Sequence, residues 1–316
     1  MSNSEWIEAD YLLETYSEIE KTAEIMAGEQ SSGTFIKIPG ETEILKKRFT
    51  ATVQSITEYE GNFKHPSLPS TGLSQHHHPL KRALITLRWP ASNIGPSLPN
   101  LMAMIAGNLF ELRQVTGLRI LDIRLPEIFL KRYHGPRFGI DGTRKLTNIH
   151  DRPLIGTIIK PSIGLSVGET AKLVKTLCEA GIDFIKDDEL QSDGIGCSFE
   201  GRATDVMRVI NDNALRTGRK VMFAFNLTGD LDEIRRRHDF LCKHGATCLM
   251  VSLNSIGLTG FIELARFSQL PIHAHRNGWG YLSRHPLLGW SYTAWQKIWR
   301  LAGADHMHVN GLSKKF

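Results

Sequence analysis

Cysteine is scarce in this sequence and shows no metal-binding spacing. The 316 residues include only four cysteines, Cys178, Cys197, Cys242 and Cys248, and no two of them form a CxxC pair. A disulfide-stabilised secreted domain needs a dense set of cysteines, and a zinc site needs closely spaced pairs. We therefore expect reduced, structural thiols rather than a disulfide framework or a zinc site.

Long apolar runs are also absent, and the amino terminus does not predict a leader sequence. No apolar run approaches the ~20 residues that span a bilayer. The amino terminus, MSNSEWIEADYLLETY, has no basic stretch followed by an apolar one, so it does not have the pattern of a secretory signal. The sequence predicts a cytoplasmic protein with no membrane partner.

Neither sign of charge dominates. Lys and Arg together number 38 and Asp and Glu 33, which gives a formal net charge of +5. The excess is spread along the chain, whereas nucleic-acid binding requires a clustered basic face. We expect no nucleic-acid partner, and a small anionic substrate such as a phosphate fits this mild excess better.

The length and a change of pattern near the middle predict two domains, residues 1–135 and 136–316. The first is predicted to be a ferredoxin-like α+β domain, because its predicted elements follow a βαββαβ order with one additional strand. Its predicted strands cover 9–16, 33–38, 49–58, 83–89 and 118–123, and its predicted helices cover 18–27 and 99–106. A Pro- and Gly-containing stretch at 61–79 is predicted as a surface loop; its histidine run, 76–78, could bind metal, but a solvated loop is favoured.

The second part alternates short apolar runs with amphipathic helices, which is typical of parallel α/β folds. Its predicted strands cover 156–160, 182–186, 221–226, 248–252, 272–275 and 305–309, and helices include 168–180, 230–243 and 291–302. A (β/α)₈ barrel needs eight strands, so six leave two units absent. A doubly wound open sheet is the alternative. No GxGxxG follows the first strand, which gives a dinucleotide site little support.

Charged and polar residues end four of these apolar strands. They are Lys160, the cluster Lys186-Asp187-Asp188-Glu189, the segment His273–Arg276 and the pair His306/His308. In a parallel barrel all these ends lie on one face, where active sites are built.

The acidic cluster is the most informative of these ends. Lys186 and Asp188 share one side of a strand and Asp187 faces the other, while Glu189 can turn back toward the first side. Two carboxylates suit a hard cation such as Mg²⁺. The lysine could neutralise them or, as a CO₂ carbamate, become a further oxygen ligand; a charge-paired turn is the simpler reading.

Lysine and histidine side chains provide candidate acid–base groups. Lys160 could be a general base, because burial lowers a lysine pKa; a lysine that reaches solvent is the alternative. Each histidine pair has a spacing of two residues, which places both side chains on one face of a strand. These histidines could be metal ligands, hydrogen-bonding groups for hydroxyls and phosphates, or core histidines. The guanidinium of Arg276 could donate two parallel hydrogen bonds to a phosphate or carboxylate.

These motifs resemble the large subunit of ribulose-bisphosphate carboxylase/oxygenase (RuBisCO). The resemblance covers nearly the whole chain. It is carried by GTIIKPSIGLS (156–166), GIDFIKDDE (181–189), GEQSSGTF (28–35), AGNLF (106–110), HAHRNG (273–278) and GADHMHVNGLSKKF (303–316). It implies an α+β domain followed by a (β/α)₈ barrel, truncated here at the carboxyl end after six strands.

The resemblance also implies roles for individual residues. Lys186 would be carbamylated and would hold Mg²⁺ with Asp188 and Glu189. Lys160 would be the enolising base, and Arg276 a phosphate ligand. The remaining implied positions are His275 and His308 near the substrate, Lys315 on a mobile loop, and Glu29, Thr34, Phe35 and Asn108, which would complete the site of a neighbouring subunit in a homodimer.

Several departures argue against CO₂ fixation. Ser162, Leu190, Trp279, Phe35 and Lys314 stand where carboxylases of this family carry Lys, Asn, His, Trp and Gly. The pattern resembles a RuBisCO-like protein of the form IV type, and the segments HVNGLS and HRNGWG resemble a branch that decarboxylates a branched 3-oxo-acid phosphate. We expect a Mg²⁺-dependent lyase or isomerase that enolises a phosphorylated ketose or keto acid in carbohydrate catabolism. The alternatives are a genuine carboxylase and a non-catalytic remnant.

Overall fold

The computed structural model describes residues 5–32, 39–68 and 79–309. Contacts divide the described chain into two compact units. The first contains the residues up to Tyr133 and the segment Gly278–Ile298; the second contains His134–Asn277 and the residues from Trp299 onward. The division into residues 1–135 and 136–316 remains a prediction.

From Gly156 onward strands and helices alternate along the chain, whereas the order before it is irregular. Up to residue 133 they are β1 (Trp6–Thr15), α1 (Ile19–Glu29), α2 (Glu43–Phe49), β2 (Thr52–Phe63), β3 (Leu80–Pro90), α3 (Leu98–Ala106), β4 (Val115–Arg124) and α4 (Glu127–Arg132). After it they are α5 (Gly139–Thr147), β5 (Gly156–Ile158), α6 (Val167–Glu179), β6 (Phe184–Lys186), α7 (Phe199–Thr217), β7 (Met222–Asn226), α8 (Leu231–Lys243), β8 (Cys248–Ser252), α9 (Leu253–Phe267), β9 (Ile272–His275), α10 (Trp279–Ser283), β10 (Leu288–Trp290), α11 (Tyr292–Ala302) and β11 (His306–Met307).

The first unit is built on a sheet with the strand order β10-β4-β1-β3-β2. All its pairings are antiparallel except that of β10 with β4. The alternation of burial along β1 and β3 places one face of each strand in the core. Ile19, Ala23 and Met26 of α1, the predicted apolar face of this helix, are fully buried. The strand order β4-β1-β3-β2, with α1 after β1 and α3 between β3 and β4, confirms the ferredoxin-like prediction.

The second unit contains a six-stranded parallel sheet with the order β11-β9-β8-β7-β6-β5. Its strands follow the chain without the reversal that defines a doubly wound sheet, so the winding is that of a barrel. The sheet is curled, because residues of its two edge strands, β5 and β11, line one cavity of about 460 Å³. Strands β7 and β8 are buried at every residue. The partial barrel is confirmed.

Local structure differs from the sequence expectations in the first unit. The predicted strand 49–58 begins later, at Thr52, because residues 43–49 form a helix capped by the Thr42 hydroxyl, which accepts from Leu45 N. Strand β10, three residues long, joins the first sheet and was not predicted. The predicted strand 33–38 and the histidine run 76–78 lie outside the described residues.

Two findings concern thiols and membrane crossing. All four cysteines are free, as predicted. Within the described ranges, no helix is long and apolar enough to cross a membrane.

Asp183 joins the amino-terminal ends of β5 and β6. Its buried carboxylate accepts hydrogen bonds from Arg152 Nη1 at 2.5 Å, Arg219 Nη2 at 2.7 Å and Ile155 N at 2.9 Å. The hydrogen bond with Arg152, followed by the bond from Ile155 and the charge of both arginines, lowers the pKa of Asp183 despite burial. The start of the barrel sheet depends on this carboxylate.

We predict that Asp183→Ala lowers the free energy of unfolding by about 2–3 kcal/mol, because it leaves a main-chain N–H and two guanidinium groups without their buried acceptor. Asp205→Ala, which removes an exposed partner of Arg208, should change it by less than about 0.5 kcal/mol. The pKa of Asp183 is depressed in the folded state. The difference in unfolding free energy between wild type and Asp183→Ala should therefore be at its maximum above about pH 4 and should shrink below it. Urea unfolding at pH 7 and pH 3.5 measures the loss of stability and its pH dependence. Equal unfolding free energies of wild type and Asp183→Ala at pH 7 would contradict the prediction.

Candidate active site

The carboxyl ends of β5 and β6 bring a lysine and a carboxylate together. Lys160 follows β5, and its Nζ donates to Asp188 Oδ2 at 2.5 Å and to Ser162 Oγ at 2.7 Å. Asp188 follows β6, which pairs in parallel with β5. Parallel pairing places both strand ends on one edge of the sheet, so the residues just after them meet.

Lys186 ends β6 and points into the barrel. The residue is buried, and its Nζ donates to Asp187 O at 2.9 Å and lies 3.7 Å from Met250 Sδ. Burial lowers the pKa of Lys186, opposed by the charges of Glu189 and Asp188. The side chain is therefore an amine in an apolar pocket beside two carboxylates.

The two predicted carboxylate ligands differ in exposure. Asp188 is fully buried, and Leu190 N donates to its Oδ1 at 3.1 Å. Burial raises its pKa, but hydrogen bonds from Lys160 and Leu190 outweigh burial and leave the pKa lowered. The Glu189 side chain is 31% exposed, and its Oε2 lies 3.7 Å from His275 Nε2.

Four histidines line the inner side of β9 and β11. The rings of His275 and His308 are 4.9 Å apart and those of His273 and His306 5.9 Å apart, as the register of His306 with His273 requires. Burial, followed by the charges of Lys186 and His308, lowers the pKa of His275 to about 3. Burial also lowers the pKa values of His273 and His306. All three rings are neutral at physiological pH.

The donor set fits a magnesium ion only if Lys186 is modified. Among the described residues, no group of three His, Cys, Asp or Glu side chains is arranged to hold a metal. Asp188 and Glu189 provide two carboxylates, and an ammonium at Lys186 cannot ligate. A carbamate at Lys186 would add the third anionic oxygen donor, and its pocket suits the neutral amine from which a carbamate forms.

Of the two interpretations of Lys160, the structure agrees with the lysine that reaches solvent. The side chain is 57% exposed rather than buried. Its hydrogen bond with Asp188 raises the pKa of Lys160, whereas a buried general base would have a lowered pKa. The physical reason is that β5 ends at Ile158, so Lys160 already lies on the loop beyond the strand.

The other predicted positions divide into three groups. Arg276 is half-buried just after β9, and His308 N donates to Ala274 O beside it. Glu29 ends α1, and Asn108 begins a 3₁₀ turn (Asn108–Glu111) in the first unit; α1 and this turn are neighbours. Thr34, Phe35, Lys314 and Lys315 lie outside the described residues.

Two residues around the acidic cluster were not predicted to have a role at the site. Arg202 of α7 pairs with Asp187 on the side of the strand away from Lys186, and both are fully buried. Asn226, the last residue of β7, donates to the carbonyl oxygens of Asp188 and Glu189. The signal that identified the other strand ends, a polar residue closing an apolar run, also applies to Asn226.

Comparison with known families agrees with this architecture. The model for the catalytic domain of the ribulose bisphosphate carboxylase large chain matches residues 139–316, and the model for its N-terminal domain matches residues 11–129. The chain therefore belongs to the RuBisCO large-chain family, which confirms the resemblance.

Individual relatives place the chain among RuBisCO-like proteins. It is 57% identical to a 3-oxo-isoapionate-4-phosphate transcarboxylase/hydrolase of Xanthobacter autotrophicus, over 99% of this chain and 75% of the relative. It is 41% identical to a 3-oxo-isoapionate-4-phosphate decarboxylase of Rhizobium rhizogenes, over 97% of this chain and 73% of the relative. The crystal structure of a rubisco-like protein from Burkholderia fungorum has a TM-score of 0.92 and 46% identity, covering 99% of this chain and 74% of that chain.

We predict that the buried histidines make stability fall in mild acid. A histidine whose pKa is depressed in the folded state does not lower the free energy of unfolding above its unfolded pKa of about 6.5. Between pH 7 and pH 5 it lowers that free energy by up to about 2 kcal/mol, because the unfolded state binds the proton more readily. His273→Phe, which removes one such ring, should reduce the loss of unfolding free energy over this range by about that amount. Urea unfolding at pH 7 and pH 5 measures it. His150 is exposed, so His150→Phe is the control. An identical pH dependence of the unfolding free energy in wild type and His273→Phe would contradict the prediction.

Proposed function

We propose that this chain is a Mg²⁺-dependent enzyme that removes or transfers the carboxyl group of a phosphorylated 3-oxo sugar acid. The observation that carries the proposal is the buried amine of Lys186 beside Asp188 and Glu189, with Lys160 bonded to Asp188. The relatives at 57% and 41% identity both carry 3-oxo-isoapionate 4-phosphate in their names. A compound of this type is the proposed substrate.

The cation would be held by Asp188, Glu189 and a carbamate at Lys186. When bound, Mg²⁺ supplies a Lewis acid for the ketone oxygen of the substrate. The lowered pKa of Lys186 supports carbamate formation, because the neutral amine adds to CO₂ and releases one proton. Arg276, half-buried just after β9, is the proposed phosphate ligand.

Lys160 is positioned to supply the proton that decarboxylation consumes. Loss of CO₂ breaks a carbon–carbon bond, leaves its electron pair in an enolate, and requires one proton on the carbon that carried the carboxyl group. The ion pair with Asp188 raises the pKa of Lys160, so Nζ holds this proton at neutral pH.

The same arrangement bears on the other reactions considered. Enolisation without loss of CO₂, the first step of an isomerase, needs Lys160 as a neutral base, and the ion pair with Asp188 favours its charged form. Carboxylation is disfavoured by the departures at Ser162 and Leu190. Ser162 accepts a hydrogen bond from Lys160, and Leu190, beside the carboxylates, is 61% exposed.

The decisive experiment supplies 3-oxo-isoapionate 4-phosphate carrying ¹³C in its carboxyl group, with Mg²⁺ and bicarbonate. We expect the label in free CO₂ or in a second acid product, followed by ¹³C NMR. Incorporation of ¹⁴CO₂ into ribulose bisphosphate would instead support the carboxylase. A folded chain that binds the cation and turns over neither compound would support the non-catalytic remnant.

We predict that Lys186→Met abolishes cation binding, because two carboxylates remain without the third anionic donor. Lys160→Met should retain cation binding and lower the decarboxylation rate by about 10²–10⁴-fold, since it removes only the proton donor. Mn²⁺ titration followed by electron paramagnetic resonance, in bicarbonate buffer, measures the first effect.

Lys243→Met, on the exposed end of α8, is the matched control and should bind Mn²⁺ as wild type does. Unchanged Mn²⁺ affinity in folded Lys186→Met would exclude the carbamate site. Loss of Mn²⁺ binding in Lys160→Met would show that this lysine acts in holding the cation and would contradict its assignment as proton donor.

The proposal extends to assembly and location. We propose a cytoplasmic homodimer in which Glu29, Thr34, Phe35 and Asn108 of one subunit complete the site of its neighbour. The proximity of α1, which Glu29 ends, to the turn that Asn108 begins supports a shared surface within the first unit. Mixing inactive Glu29→Gln with inactive Lys160→Met should restore activity through one intact site per mixed dimer, and no recovery on subunit exchange would contradict sharing.

A further inference from the structure

The turn that follows β6 carries both carboxylates of the proposed cation site. It runs from Asp187 to Ser192, and Asp187 N still donates to Ala224 O of β7 at 3.0 Å. Within the turn, Gln191 N donates to Asp188 O at 3.1 Å. Further hydrogen bonds to the turn come from α7 and from the end of β7.

Arg202 of α7 holds the two ends of this turn. Its guanidinium contacts Asp187 Oδ2 from Nη2 at 3.2 Å and from Nε at 3.3 Å. Nη2 also donates to Ser192 O at 2.8 Å. Both members of the ion pair are fully buried, and an ion pair removed from water is stable only when such further bonds satisfy it.

Asn226 holds the middle of the turn. Its Nδ2 donates to Glu189 O at 3.1 Å and to Asp188 O at 3.3 Å, and its main-chain N donates to Asp187 Oδ2 at 3.0 Å. Its Oδ1 accepts from Thr228 N at 3.1 Å, which fixes the orientation of the amide. The side chain is fully buried, so water does not compete for these bonds.

We propose that Asn226 is a positioning residue for the cation site, holding the main chain of Asp188 and Glu189 so that both carboxylates face the Lys186 side. The amide bonds to the carbonyl oxygens of these residues and does not occupy their carboxylate oxygens. Arg202 supports the same turn from its ends. The inference rests on the proposed function, because it assumes that the two carboxylates bind a cation.

The test measures Mn²⁺ affinity in Asn226→Asp. This change keeps the size of the side chain and its acceptor for Thr228 N, but it replaces the amide donor with an oxygen that repels two carbonyls. We expect the dissociation constant for Mn²⁺, measured by electron paramagnetic resonance in bicarbonate, to rise about 10–100-fold, the range for residues that orient metal ligands. Circular dichroism and thermal melting verify the fold.

Asn213→Asp is the matched control. It makes the same chemical change at another buried asparagine of this unit, whose Nδ2 donates to Arg219 O away from the turn. Its Mn²⁺ affinity should stay within twofold of wild type. A comparable loss of affinity in both variants would assign the effect to general destabilisation and overturn the inference.

The remaining outcomes separate this inference from the proposed function. Folded Asn226→Asp with wild-type Mn²⁺ affinity, alongside loss of binding in Lys186→Met, would overturn the positioning role and leave the site intact. Wild type that binds no Mn²⁺ would overturn both. If Asn226→Asp does not fold, Asn226→Ser introduces no charge and is judged by the same criteria. A wild-type crystal structure with Mn²⁺ and bicarbonate in which Nδ2 contacts neither carbonyl would also overturn the role.

Discussion

The parallel pairing of β6 with β5 and β7 is the constraint on which the site depends. It places Lys186 in register with Ile158 and Ala224, so that the chain just beyond each strand emerges at one edge of the sheet. Lys160 can then reach Asp188, and Asn226 can reach the main chain that carries the carboxylates. Both contacts join residues that follow or end different strands, so the sheet supplies their proximity.

Charge in this site is organised by burial on two sides of one strand. Asp187 faces away from Lys186 and is neutralised by Arg202, whereas Asp188 faces the site and is paired with Lys160. The first pair is inaccessible and structural, because breaking a buried pair costs about 3–5 kcal/mol. The second includes a lysine that is exposed to solvent. Two adjacent aspartates thus acquire different chemistry from the alternation of a strand.

The sequence predicted the architecture well wherever the hydrophobic pattern was long or strictly alternating. Strands β8 and β9 have the predicted bounds, and the apolar face of α1 is the one that packs in the core. It failed where structure depends on partners: β10 is only three residues long and exists because β4 pairs with it. The lysine, carboxylates and histidines of the site were found because charge at the end of an apolar strand is conspicuous. Arg202 was missed because one arginine within a helix gives no such signal.

The sequence by itself determined the residue types of the site, their order along the chain and the barrel strands whose ends carry them, since these follow from local patterns of polarity. Tertiary structure alone decided which groups touch. Lys160 and Asp188 are separated by 28 positions and Asp188 and Asn226 by 38, and their contacts follow from strand register. It also decided protonation, because the pKa values of Lys160 and His275 shift in response to exposure and to neighbouring charges. Exposure and charge proximity are properties of the packed chain, which no local pattern contains.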